Sequence, residues 1–220
     1  MAASLAHEIR NPLNLINLTA GHLEGSFSPA DPEKYAQFQE FMKALQGEVQ
    51  HLNQVVHHFL SASRPGRMRQ EFFALQDLVE EARILMKPQF SAKGITLENK
   101  VEKTVVLQAD KEQIRLLLLN LFLNAIEAVP GGGKVEIDSL NESGDAGREW
   151  MTLRVMDSGP GIQPDDLDHV FDAYFTRKES GVGLGLALVR RIAEEHGGSV
   201  RVSNRPEGGA CFEVRIPGGV

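Results

Sequence analysis

Apolar residues fall at Tyr35, Phe38, Met42, Leu45, Val49, Leu52, Val56 and Phe59, in steps that alternate three and four. That spacing predicts a helix whose apolar seam follows the heptad of a supercoil. A first helix precedes it, carrying Leu5, Ile9, Leu13, Ile16, Ala20 and Leu23 at similar steps. Between the two, "GSFSPADPE" (Gly25 to Glu33) breaks the pattern with glycine, serines and two prolines. Asp31 before Pro32 supplies a cap, with proline at the first position of the second helix. Two helices bury little by themselves, so a continuous seam asks for a partner. A homodimer closing a four-helix bundle is the economical solution.

The pattern changes after the polar stretch "SASRPGRMRQ", Ser61 to Gln70. A domain boundary placed there gives a hairpin over 1–64 and a second domain over 65–220. A helical segment is predicted over Leu75 to Phe90, followed by short strands at Ile95 to Asn99 and Val105 to Gln108. A long apolar helix covers Lys111 to Val129 and ends at "PGGG". Val135 to Leu140 and Met151 to Met156 alternate like paired strands, Leu184 to Glu195 reads as a helix, and Ser199 to Ser203 with Cys211 to Ile216 reads as a final hairpin. Strands gathered with helices on one side predict an α/β sandwich of two layers.

Composition narrows the function. The 220 residues are 42% hydrophobic and 24% charged, as in an ordinary globular protein. A formal net charge of −7 argues against a general nucleic-acid binder, which would show a basic face. Cys211 is the only cysteine, so no internal disulfide forms. No apolar run approaches the ~20 residues that span a bilayer, and the N-terminus lacks the layout of a signal peptide. A cytoplasmic protein without membrane contact in this segment is expected.

The candidate chemistry begins at "SLAHEIRNPLN", Ser4 to Asn14. A zinc-protease HExxH would need a second histidine where Asn11 stands, so the pair of ligands one turn apart is incomplete. Asn120 and Asn124 lie four apart and share one face of the long helix. Taken alone they are helix-surface amides, although an amide oxygen is also a hard ligand suited to Mg²⁺ beside substrate phosphates. "DSGPGI" follows a strand, with Asp157 beside Gly159 and Gly161, where a backbone without side chains lets a ligand approach. "GVGLGLAL" runs from Gly181, Gly183 and Gly185 straight into a helix, and free amides at a helix N-terminus make a phosphate cradle. It lacks both the Rossmann spacing and the Walker Gly-Lys-Ser/Thr. Each stretch alone is weak, but their order together is specific.

"HEIRNP", "NLFLNA", "DSGPGI", "FDAYF" and "GVGLGL" resemble the H, N, G1, F and G2 boxes of bacterial sensor histidine kinases, in the family's order and over nearly the whole chain. "HEIRNPL" is similar to the nitrogen-regulation-like branch. The resemblance implies a dimerisation and histidine-phosphotransfer hairpin followed by a Bergerat-type ATP-binding domain. It makes His7 the phosphoacceptor, Glu8 its helper and Asn11 a residue that positions water to dephosphorylate a response regulator. A neutral imidazole is nucleophilic, and an adjacent carboxylate fixes its tautomer and stabilises the cation formed on attack. Asn11 has an alternative role, satisfying backbone groups left open by Pro12. By the same resemblance Asp157 reads adenine, and Asn124 is the Mg²⁺ ligand with Asn120 beside it. The leaving γ-phosphate needs charge neutralisation, from Mg²⁺ and from Lys178 or Arg177 beside the lid, with solvated loop charges as the alternative reading of those two. Gly159, Gly161, Gly181, Gly183 and Gly185 line the nucleotide.

The implied activity is ATP-dependent autophosphorylation of His7 and transfer to an aspartate on a response-regulator receiver domain, with regulator phosphatase activity as a second possibility. The alternatives are a Bergerat-fold ATPase and a non-catalytic dimeric scaffold. The family's first helix continues well upstream of its histidine, whereas Met1 stands six residues before His7. Either a sensor region precedes this segment, with a membrane attachment of its own left open, or the signal arrives through another protein. Three further expectations concern lone features. His51, His57 and His58 read as solvated rather than metal-binding, Cys211 as a small core residue, and Phe171 and Phe175 as packing beside a lid.

Overall fold

The computed structural model describes residues 15–16, 18–24, 27, 29, 31, 33–42, 45, 49, 68–143, 149–178 and 183–218. The chain divides into two compact units, Met1–Arg67 and Met68–Val220. In the first, residues 18–24 and 33–42 are helical. Asp31 Oδ1 accepts from Glu33 N at 3.0 Å and its carbonyl from Tyr35 N at 2.8 Å, so the expected cap forms. Ala20, Met42 and Val49 are buried, while Ile16 and Leu45 of the same seams are each 42% exposed.

The second unit begins with a strand that the sequence pattern did not announce, β1 (Gln70–Ala74), running directly into α1 (Leu75–Ala92). Strands β2 (Thr96–Lys100) and β3 (Val106–Asp110) follow, then α2 (Lys111–Ala128), β4 (Lys134–Ser143) and β5 (Glu149–Asp157). A single 3-10 turn at Pro164–Asp166 precedes α3 (Gly185–Glu195), β6 (Ser199–Asn204) and β7 (Ala210–Pro217). The main sheet has the order β2-β4-β5-β7-β6, with β2 parallel to β4 and the other pairs antiparallel. β1 and β3 form a separate antiparallel pair, Phe72 opposite Gln108. The two-layer sandwich is therefore as expected, with a small second sheet added.

α2 is apolar around most of its circumference because it packs against both α1 and α3. Ile114, Leu117, Leu118, Leu121, Phe122, Ala125 and Ile126 are all buried. They meet Val135, Ile137, Met151, Leu153, Val155, Phe212 and Val214 from the sheet's inner face in one continuous core. Phe90 of α1 closes edge-on against Phe122, ring centroids 5.9 Å apart. Both ends of α2 are fastened. At its start Asp110 Oδ1 accepts from Gln113 N at 3.2 Å. At its end the Lys93 ammonium donates to the Ile126 carbonyl at 2.7 Å, where the helix leaves carbonyls unpaired. His196, at the end of α3, donates from Nδ1 to Ile192 O (2.8 Å) and accepts the Asp110 N–H on Nε2 (3.1 Å). A backbone N–H can only donate, so this pair of bonds selects the neutral Nδ1–H tautomer.

The outer face of the main sheet carries paired charges, among them a two-bond Arg154–Asp138 contact at 2.7 and 2.6 Å. Cys211 belongs to this face, which corrects the expectation of a core residue. Alternation along β7 buries Ala210, Phe212, Val214 and Ile216 and turns Cys211 outward, half-buried beside Arg154 and Glu213. Desolvation pushes its thiol up to about 11, so it is protonated and unreactive at neutral pH.

Candidate nucleotide site

Three elements of the second unit converge where the sequence boxes fall. The first is the end of β5. Asp157 is 1% exposed, the last inward residue of the strand. Its Oδ1 accepts from Gly159 N at 2.8 Å and from Ala210 N at 3.3 Å. Burial holds its carboxyl above the usual range, while these amides, Arg205 and Lys178 oppose the shift. Two glycines let the backbone close around it. A Cβ at Gly159 would lie 2.9 Å from the Ala128 carbonyl that ends α2. At Gly209 (φ 88°) it would lie 1.9 Å from the Asp157 carbonyl. A side chain at Gly209 is therefore excluded by both space and backbone conformation. Beyond Gly161, Asn204 grips Ile162 through both backbone groups at 2.7 Å.

The second element is α2. The Asn120 amide nitrogen donates back to Leu116 O at 2.7 Å, which turns its oxygen toward the start of α3. A Cβ added at Gly185 would sit 3.0 Å from that oxygen. One turn on, Asn124 Oδ1 lies 3.3 Å from the Lys178 ammonium, which also meets Glu127 Oε2 at 2.5 Å.

The third element is the chain from the F-like stretch to α3. Phe171 packs edge-on against Phe212, centroids 6.3 Å apart, as expected of a packing residue. Tyr174 N–H donates to Gly183 O at 2.9 Å, bringing the F-like stretch against the glycine-rich one. Both partners have left-handed backbone angles (Tyr174 φ 69°, Gly183 φ 68°), and a Cβ at Gly183 would lie 2.5 Å from Phe175 O. Arg177 and Lys178, read from sequence as interchangeable, separate here. Arg177 makes a two-bond pair with the buried Asp166 carboxylate at 3.1 and 2.8 Å, and only Lys178 reaches α2. That pair holds the Asp166 carboxyl below the ordinary range.

The structure thus gathers Asn120, Asn124, Asp157, Gly159, Gly161, Lys178, Gly183 and Gly185 around the ends of β5, α2 and α3. His7, Glu8, Asn11 and Gly181 lie outside the described residues, as do His51, His57 and His58. Sequence reasoning missed Gly209, Ala210 and Glu127. Glu127 had a signal, three residues after Asn124 on one helical face. Gly209 looked like an ordinary hairpin turn.

The donor set fits the groups the resemblance implied. A buried carboxylate beside bare backbone suits a purine amine, and the start of α3 suits phosphate. Among the described residues no three His, Cys, Asp or Glu side chains gather to hold a metal ion. The Asn124 amide oxygen is a hard ligand of the kind that suits Mg²⁺, whose remaining ligands come from phosphates and water.

This is an ATP-binding unit of the fold shared by histidine kinases, gyrase B and HSP90, and residues 109–219 match the model "Histidine kinase-, DNA gyrase B-, and HSP90-like ATPase". Residues 1–67 match the "His Kinase A (phospho-acceptor) domain". The chain belongs to the histidine kinases and comprises the catalytic core of a two-component sensor kinase. It is 34% identical over 218 residues to the sensor histidine kinase ZraS of Salmonella typhimurium, covering 99% of this chain and 45% of that protein. It therefore spans about half the length of the curated relatives it matches. Among solved structures it resembles full-length ShkA in complex with AMPPNP, with 28% identity, TM-score 0.71 and coverage of 100% of this chain and 46% of that one. It also resembles histidine kinase ThkA in complex with the response regulator TrrA, with 28% identity, TM-score 0.68 and coverage of 100% and 61%. Among the described residues no helix is long and apolar enough to cross a membrane.

Proposed function

We propose that this chain transfers the γ-phosphoryl group of ATP to His7 and from there to an aspartate of a response-regulator receiver domain. The imidazole nitrogen attacks phosphorus, the bond to the β–γ bridging oxygen breaks, and ADP leaves with that electron pair. Glu8 fixes the imidazole tautomer and stabilises the cation formed. Asp157 accepts from the adenine amine, and the glycines with the start of α3 hold the phosphates. Asn124 and the phosphates would hold Mg²⁺, which would supply charge neutralisation for the transferred group.

The observation that favours phosphotransfer over plain hydrolysis is Asn120. ATPases of this fold carry a glutamate base there, whereas the Asn120 amide is bonded to its own helix and cannot take a proton from water. Incubation with γ-labelled ATP separates the readings: label on the protein supports the kinase, free phosphate an ATPase, and neither a scaffold. We place the domain boundary within the linker, giving 1–64 and 65–220. A homodimeric bundle is supported by the half-exposed seam residues Ile16 and Leu45. A receiver-domain partner is supported by the ThkA–TrrA complex.

Two predictions belong here. Asn124→Ala should raise the Mg²⁺ concentration needed for half-maximal phosphorylation, and normal labelling at low Mg²⁺ would remove the role. Asn11→Ala should retain labelling of His7 but slow the loss of phosphate from a phosphorylated regulator. Unchanged decay would leave Asn11 with only a backbone role beside Pro12.

A further inference from the structure

Glu127 has no part in the mechanism above, yet it makes a close ionic contact inside the site. It follows Asn124 by three residues, so the two side chains share a face of α2. The Lys178 ammonium bridges them, 2.5 Å from Glu127 Oε2 and 3.3 Å from Asn124 Oδ1. The residue before it is tethered, because Arg177 is held by the two-bond pair with Asp166. Lys178 can therefore change partner by swinging its own side chain while its backbone stays near.

A cation already rests on the oxygen that a divalent ion would use. An ammonium and a divalent ion on one amide oxygen repel each other, so the second displaces the first. Once displaced, Lys178 has two competing anions in reach, the Glu127 carboxylate and the triphosphate. We propose, on the basis of the kinase reading above, that Glu127 is a positioning residue. Its carboxylate keeps Lys178 on Asn124 and away from phosphate until a divalent cation takes the amide oxygen. Nucleotide without metal must then pull Lys178 from its carboxylate and meet a nearby negative charge, whereas nucleotide with metal does not. The contact makes the site selective for metal-loaded nucleotide.

The pair is exposed, with side chains 41% (Lys178) and 51% (Glu127) accessible. Such pairs are worth little, so the selectivity amounts to about two- to fivefold in affinity. The test is calorimetric titration with an ATP analogue whose β–γ bridge cannot be hydrolysed, in chelator and in Mg²⁺. Glu127→Gln should bind the metal-free analogue about two- to fivefold more tightly than the parent, and so lose part of the advantage that Mg²⁺ confers. Lys178→Met in the same background should reduce that gain, since the released lysine is its main source. Metal-free affinity that is unchanged or weaker in Glu127→Gln would overturn the inference. So would an equal gain with and without Lys178, because Glu127 would then act only by its charge. A parent that fails to bind the analogue even with Mg²⁺ would overturn the proposed function along with it. Equal melting temperatures of parent and Glu127→Gln, expected for a half-exposed side chain, confirm that folding is not the cause.

Discussion

His7→Gln is expected to take up no label from γ-labelled ATP, while its affinity for nucleotide stays close to that of the parent. The separation follows from the domain organisation. The acceptor belongs to the first unit, whereas every described residue of the nucleotide site lies within Met68–Val220. Glutamine preserves polarity and approximate length but lacks the imidazole lone pair, so the loss is of the reacting atom itself. The parent's label should be acid-labile and base-stable, as a phosphoramidate is. Label on the His7→Gln protein, or an acid-stable product, would reject His7 as the acceptor.

Asp157→Asn has the second largest expected effect, and it acts in opposite directions on binding and on stability. A hydrogen bond to a charged acceptor contributes ~1.5–3 kcal/mol, so ATP affinity should fall by roughly tenfold to a hundredfold. Stability should not fall with it. Burial raises the folded-state pKa of this carboxyl above its unfolded value. A raised pKa means that the ionised group opposes folding at pH values above the folded pKa, a cost that vanishes below the unfolded one. Asparagine is neutral throughout and keeps an oxygen for the Gly159 and Ala210 amides, so the variant should melt no lower than the parent at neutral pH. By the same sign, ATP affinity of the parent should decline on acidification at a higher pH than an unperturbed aspartate would dictate. Equal binding of ATP and GTP by the parent, or unchanged ATP affinity in Asp157→Asn, would remove Asp157 from adenine recognition.

The helices of the second unit were legible because their apolar spacing is long and regular. The pattern over Lys111 to Val129 anticipates α2 to within a residue, and "PGGG" marks its end. β1 was not legible. Its five residues, QEFFA, sit against a polar linker and pair with one short strand, so no alternation develops. Cys211 illustrates a different limit. Its face was written in the strand, because Cys211 alternates with the buried Phe212, Val214 and Ile216 and shares the outward positions with Glu213 and Arg215. The core expectation weighed residue type over that alternation. The site was legible as boxes because backbone approach demands glycine and ligand contact demands particular polar groups. What could not be read was partnership across long sequence separation. Nothing in the chain couples Lys178 to Glu127 or Arg177 to Asp166 until the fold brings them together.

His196 shows how such a distant partnership bears on chemistry. It joins the end of α3 to the beginning of α2, about 16 Å along the helix from Gly185, where α3 faces Asn120. The packing of the two helices is thus fastened at one end by this imidazole, with the glycine beside Asn120 at the other. A tilt of only about 5° at the fastened end would carry Gly185 more than 1 Å across the site, a displacement large enough to cost on the order of a hundredfold in rate when it falls on a reacting group. If Gly185 holds phosphate as proposed, an imidazole eleven residues further along α3 helps to fix how that helix end is presented.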